Sequence, residues 1–245
     1  TNSPFTKSQM IKGILLDYGG TIDTNGLHWG SVLWDSYQKY GIKIDRSAFS
    51  KAYSYGERAL AIHPIVKPGH TFLDTLQLKV EQQFQFLKDN GFQVENEFIE
   101  IIAADCHLFA KTTVAQAALV LKELSAHYPL VLVSNFYGNI NSVLSDFGID
   151  TYFNAVVESA VVGVRKPDPA IYRLGVEALQ LPAEACVVIG DSYSKDIVPA
   201  HAISCKTIWL NVQGWEDTDN KTASIADLEI NDFAMVVEGI KGLRS

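Results

Sequence analysis

The sequence is poor in cysteine. Only Cys106, Cys186 and Cys205 occur in 245 residues, odd in number, far apart and in no Cys-x-x-Cys pattern. A disulfide framework and a zinc site of the usual spacing are thereby disfavoured, and three reduced, mostly buried thiols are expected. Long apolar runs are missing as well. None approaches the ~18 residues that a bilayer span requires. The first ten residues are polar, and the apolar stretch after them stops at Asp17, as a strand would and a signal peptide would not. Positive charge is in deficit, with 20 Lys+Arg against 28 Asp+Glu and a net charge of −8. That balance argues against a nucleic-acid partner or a membrane surface, while leaving room for a small cationic pocket. Internal repeats and low-complexity segments are absent too, and the expected location is cytoplasmic.

What is present is an ordinary globular composition, 47% apolar and 20% charged, enough to bury a core without metal or disulfide staples. At ~150 residues per domain the length suggests about one and a half domains. Four short apolar runs, at 11–16, 130–133, 186–189 and 207–210, each end in polar or Gly-rich residues. Such runs suit strands covered on both faces. Helical spacing separates them: Val114, Ala117, Ala118, Leu121 and Leu124 in one stretch, and Ile171, Leu174, Val176 and Leu179 in another. The alternation predicts an α/β fold, a three-layer doubly wound parallel sheet with right-handed crossovers. Residues 155–157 read as a further strand, and 234–237 as another strand or the start of a terminal helix.

The segment from about 25 to 111 differs. It is rich in aromatics, including Trp29, Trp34, Tyr37, Phe49, Tyr53 and Phe72, and lacks a buried-strand pattern. Leu73, Leu76, Val80, Phe84 and Leu87 recur at helical spacing, and Pro64 with Pro68-Gly69 marks a break between helices. We read it as a helical insertion whose aromatics are mainly core. The expected organisation is a sheet domain from 1–24 and 112–245, with a helical domain at 25–111.

In a doubly wound sheet, ligands gather at the carboxyl ends of the strands. Three of the four runs end there in a reactive group: Asp17, Ser134 and Asp191. Lys166 lies in the polar stretch Arg165-Lys166-Pro167-Asp168. Two carboxylates suit Mg²⁺, which prefers hard oxygen ligands. A lysine and a hydroxyl suit phosphate oxygens, and a free carboxylate can act as a nucleophile.

The motifs Asp17-Tyr18-Gly19-Gly20-Thr21, Ser134-Asn135, Lys166-Pro167-Asp168-Pro169 and Gly190-Asp191-Ser192 followed by Asp196 resemble, in order, the four motifs of the haloacid dehalogenase-like hydrolases. The resemblance covers the whole chain, since that superfamily places a helical cap after motif one. It implies a Rossmann-like core and Mg²⁺-dependent phosphoryl transfer from a small phosphorylated metabolite through an aspartyl-phosphate on Asp17. It further implies that Asp17, Asp191, Asp196 and the Gly19 carbonyl serve the metal. Ser134 and Lys166 would hold the transferring group, with Thr21 and Asn135 beside them on the substrate side. Arg58 in the insertion is a candidate contact for a distal anionic group.

One position departs from the phosphatase pattern. The resemblance implies an aspartate two residues after the nucleophile to protonate the leaving oxygen, and here that residue is Gly19. Such a group contributes about 10²–10⁴-fold. Asp23, His28, His63 and His70 are candidate replacements, and Gly56 and Gly69 read as hinges or as helix ends. Three alternatives follow from Gly19: a catalytically weakened phosphate- and metal-binding protein, a dehalogenase-like member, or a phosphonatase-like member. The last would need a lysine in the insertion, and Lys51 and Lys67 carry no context for that role.

Overall fold

Apolar runs without polar interruption can be satisfied only where both faces are covered, and here they form the centre of one parallel sheet. The structure, a computed structural model, describes residues 10–212 and 223–243. The polar residues 1–9 lie outside that range. In chain order the elements are β1 (Gly13–Leu16), α1 (Trp29–Lys39), α2 (Arg46–Ile62), α3 (Phe72–Asp89), α4 (Glu97–Ser125), β2 (Leu130–Ser134) and α5 (Ile140–Asp146). They continue with β3 (Ala155–Glu158), α6 (Ser159–Val162), α7 (Ala170–Leu179), β4 (Cys186–Gly190), α8 (Val198–Ala202), β5 (Lys206–Leu210), β6 (Leu228–Ile230) and α9 (Val236–Gly242).

The sheet order is β3-β2-β1-β4-β5-β6, with every pairing parallel. Leu15 pairs with Val131 on one side and Val188 on the other, and these three side chains face α7 and α8. Ile14, Leu16, Leu132 and Ile189 face the opposite way, toward α4, α5 and α9. The result is the expected α/β sandwich of three layers, helices over both faces of the sheet. After β3 the chain crosses to the other side of β1. The order thus reverses between β1 and β4, and that switch point opens a crevice at the carboxyl ends of the strands.

Strand 11–16 is shorter than expected, since Ile11 and Lys12 precede β1. The 155–157 run is β3, and 234–237 is the entry to α9. The three-residue edge strand β6 has too little apolar pattern to be read from the sequence. The helix expected over 114–127 is the C-terminal half of α4, which starts at Glu97 and is continuous across position 111.

The insertion helices start where side chains cap them. His28 accepts from the Gly30 N–H, Asp45 from the Ala48 N–H, and Thr71 forms a reciprocal capping box with Asp74. Pro64 and Pro68-Gly69 indeed fall between α2 and α3. Gly56 is neither a hinge nor a helix end: it lies inside α2, where a Cβ would stand 3.3 Å from the Lys79 carbonyl of α3. Leu76, Val80, Phe84 and Leu87 are buried as their spacing predicts, together with Tyr37 and Phe49.

Candidate active site

Asp17 is the first residue beyond β1. Its N–H donates to the Ile189 carbonyl at 3.0 Å, which ties the loop to β4. The chain then folds back on itself through Thr21 and Ile22, both donating to the Tyr18 carbonyl. Gly20 adopts φ +88°, and a Cβ there would collide with the Asp191 carboxylate. Only glycine satisfies both demands. Asp191 follows β4 in the same way, and Asp196 stands on the π-helical turn Tyr193–Ile197. π-Turns often mark functional sites. Gly190 clears room for that side chain, because a Cβ would lie 2.5 Å from it.

Five of the expected residues meet. The Lys166 Nζ lies 2.7 Å from Asp17 Oδ1 and 2.8 Å from Asp196 Oδ1. The Thr21 hydroxyl is 3.1 Å from both Asp17 Oδ2 and Asp191 Oδ1. Oxygens of Asp17, Asp191 and Asp196 all fall within 4.8 Å of one another. Burial, then the charges of Asp17 and Asp196, push the Asp191 carboxyl well above the usual range. Burial and Asp17 also raise Asp196, although Lys166 opposes them. Burial disfavours the Lys166 ammonium, but Asp17 and Asp196 outweigh it and raise its pKa. Three carboxylates and one ammonium leave an excess charge of about −2 when all ionise. An all-oxygen donor set of that charge fits a divalent cation such as Mg²⁺.

Thr21 is wholly buried, with its hydroxyl between Asp17 and Asp191. Asn135 lines the cavity, but its amide clamps the Lys166 backbone, donating to the carbonyl at 3.1 Å and accepting from the N–H at 2.9 Å. Ser134 ends β2 and is buried. Its hydroxyl donates to the Asn135 carbonyl at 3.4 Å, and the residue is not part of the cavity wall. Asp196 accepts from Tyr172 at 2.6 Å and from the Ser192 N–H at 3.1 Å besides Lys166. With its oxygens engaged in this way, it braces the cluster more than it offers a free ligand.

Above the strand ends lies a cavity of about 580 Å³. Asp17, Gly19, Asp23, Lys166 and Asp191 form its floor, and His28, Tyr53, Glu57, Arg58 and Lys79 contribute from the insertion. Arg58, Asp23 and His28 therefore lie in the cavity wall. His63, His70, Lys51 and Lys67 are not in the wall. His70 Nδ1 instead accepts from the Lys67 N–H, and the Lys67 ammonium binds the Pro64 carbonyl.

Sequence reasoning missed a second cluster. Lys79 Nζ is 2.9 Å from Glu57 Oε1, and the Tyr137 hydroxyl donates to Glu57 Oε2 at 2.6 Å. Burial disfavours both charges, yet Lys79 and Tyr137 hold the Glu57 carboxyl below its ordinary value, and Glu57 holds the Lys79 ammonium above its own. The signal was available. Lys79 and Gln83 interrupt the apolar stripe of α3 at positions three or four residues from Leu76, Val80 and Leu87, where a polar residue needs a buried partner.

A family model described as haloacid dehalogenase-like hydrolase matches residues 11–203. Haloacid dehalogenase-like hydrolase domain-containing protein 3 of Danio rerio is 33% identical over 87 residues, 36% of this chain and 36% of that protein. Phosphoglycolate phosphatase of Photobacterium profundum is 29% identical over 136 residues, 55% of this chain and 57% of that protein. The chain therefore spans between about a third and just over half of these curated relatives. Among solved structures, L-2-haloacid dehalogenase from Xanthobacter autotrophicus with chloropropionic acid covalently bound shares the fold at a TM-score of 0.60. It is 15% identical, over 95% of this chain and 99% of that one. The magnesium-bound HAD-hydrolase YfnB from Bacillus subtilis superposes at 0.56, with 16% identity over 95% and 99%.

Proposed function

The chain belongs to the haloacid dehalogenase-like hydrolases, and from that premise we propose that it hydrolyses small phosphorylated metabolites through an aspartyl-phosphate on Asp17. The observation that carries this reading is the Lys166 ammonium shared between Asp17 and Asp196, with Asp191 beside them at the floor of the cavity. In this reading residues 25–111 form the cap, and 1–24 with 112–245 form the core.

The Asp17 carboxylate forms the bond to phosphorus while the bond to the leaving oxygen breaks. Water then attacks phosphorus, the bond to Asp17 breaks, and inorganic phosphate leaves with the carboxylate restored. Thr21 and Lys166 hold the two Asp17 oxygens in one orientation, so little motion precedes attack. Lys166 also faces the charge that builds on the phosphoryl oxygens. Mg²⁺, held by Asp17, Asp191 and the Gly19 carbonyl, would draw further negative charge from those oxygens when bound. The wall from α2 offers Arg58 to anionic parts of the substrate.

A phosphonatase-like reaction fits less well. It calls for an insertion lysine with a free amine, and the one insertion lysine in the cavity wall, Lys79, is kept protonated by Glu57.

The test uses acetyl phosphate and p-nitrophenyl phosphate with Mg²⁺. Asp17→Asn should lower turnover by at least about 10³-fold and carry no phosphoryl adduct by mass spectrometry. Unchanged turnover in Asp17→Asn would overturn the reading.

A further inference from the structure

Gly19 leaves the leaving oxygen without its usual proton donor, and the structure offers another carboxyl in the same cavity. We infer that Asp23 is the general acid of this site, passing its proton to the leaving oxygen through the open space beside Gly19. The inference rests on the phosphoryl-transfer reading above.

Three observations support it. First, a Cβ built on Gly19 meets no atom within 4 Å, so the space beside it is open to the cavity. Second, the chain folds back after Asp17 so that the Gly20 N–H donates to Asp23 Oδ1 at 2.7 Å, and the Trp29 indole N–H donates to Oδ2 at 2.9 Å. The carboxyl is thus fixed at the cavity floor, and each oxygen keeps a lone pair for a proton or a water. Third, the other carboxylates of the wall are committed. Asp17, Asp191 and Asp196 form the cluster with Lys166, and Glu57 is held ionised by Lys79 and Tyr137. Asp23 stands outside both groups, its oxygens held only by the Gly20 and Trp29 N–H groups.

The surroundings also suit acid chemistry near neutrality. Burial raises the Asp23 carboxyl most. The Gly20 and Trp29 N–H groups pull it back, Asp17 raises it, Lys79 of α3 lowers it, and the balance stands at about 7. Three tyrosines also face it: Tyr18 on its own loop, Tyr53 of α2, and Tyr137 after β2. All three are kept neutral by burial and adjacent negative charge. A donor poised near the working pH is the efficient choice. In the step itself, a water beside Gly19 gives a proton to the leaving oxygen as its bond to phosphorus breaks, and takes one from Asp23.

The experiment compares wild type, Asp23→Asn, Gly19→Asp and the double variant with Mg²⁺. It follows single-turnover release of the leaving group from an alkyl phosphate, glycerol phosphate, and from p-nitrophenyl phosphate, whose leaving group needs no proton. Asp23→Asn should slow the alkyl ester by about 10²–10⁴-fold and the aryl ester by a much smaller factor. The wild-type alkyl rate should fall as pH rises through about 7, a limb missing from Asp23→Asn. Gly19→Asp should restore the alkyl rate in the double variant. The alkyl-to-aryl ratio is internal to each preparation, so partial misfolding does not imitate the result. Equal losses on both substrates, or an intact limb in Asp23→Asn, would overturn the inference and leave the phosphoryl-transfer reading standing. No phosphoryl transfer by any of the four proteins, Gly19→Asp included, would overturn both.

Discussion

Glu57 and Lys79 show how two charged residues of separate helices can become a buried pair. Glu57 on a helix surface would ordinarily titrate near 4.5, but in the folded chain Lys79 and Tyr137 overcome its burial and hold it lower. The sign follows directly. A carboxyl lowered on folding supplies stability that is complete above its ordinary value and lost as pH falls through the folded one. The melting temperature of wild type should therefore drop more steeply than that of Glu57→Gln between about pH 5 and 3. Lys79→Met leaves Glu57 without its cation. With 30% of the Glu57 side chain exposed, solvent relieves part of that cost, and a loss of about 1–3 kcal/mol in denaturant unfolding is expected. The cluster was hard to read because Glu57, Lys79 and Tyr137 lie on three separate elements. No local spacing joins them.

At the scale of elements, Gly175 sets how closely α7 lies on the sheet. A Cβ there would stand 2.5 Å from Leu15 Cδ2 and 2.9 Å from Val133 Cγ2. Gly175→Val should lower stability by about 1–3 kcal/mol through overpacking, with the denaturant slope unchanged. It should also reduce turnover, because α7 follows the Lys166 loop and carries Tyr172 to Asp196. An unchanged midpoint would show that the helix can retreat freely. The central strands were legible because two-sided burial leaves an uninterrupted apolar run, and α7 because its stripe keeps helical period. The edge strand β6 was not, since three residues of which Glu229 is exposed carry no period. The full length of α4 could have been read, since Ile102, Ala103, Cys106 and Ala110 continue the buried stripe of Val114, Ala117 and Leu121.

At the scale of the molecule, about a quarter of the overall charge of −8 stands in the one cluster of Asp17, Asp191, Asp196 and Lys166. Mg²⁺ should raise the melting temperature in proportion to the logarithm of its concentration, reaching about 2.7 kcal/mol of stabilisation at a hundredfold excess over Kd. Asp191→Asn should abolish that rise. It should also stabilise the metal-free protein, because it removes one of three mutually repelling carboxylates. An equal Mg²⁺ response in Asp191→Asn would remove that residue from the metal site. Among the described residues no helix is long and apolar enough to cross a membrane, in keeping with the absence of long apolar runs.

The sequence by itself determined the α/β class, the strands that build the sheet centre, and the residues Asp17, Lys166, Asp191 and Asp196. Each of these is written locally, in a run of side chains or in a motif at its end. Tertiary structure alone decided the roles of the rest. Thr21 was set between Asp17 and Asp191, Asn135 was set against the Lys166 backbone, and Ser134 was left outside the cavity wall. Lys79 met Glu57, and Asp23 was brought to the floor of the cavity. The physical reason is that burial and charge at a point come from groups distant in the chain, and a carboxyl's work depends on which of them surround it.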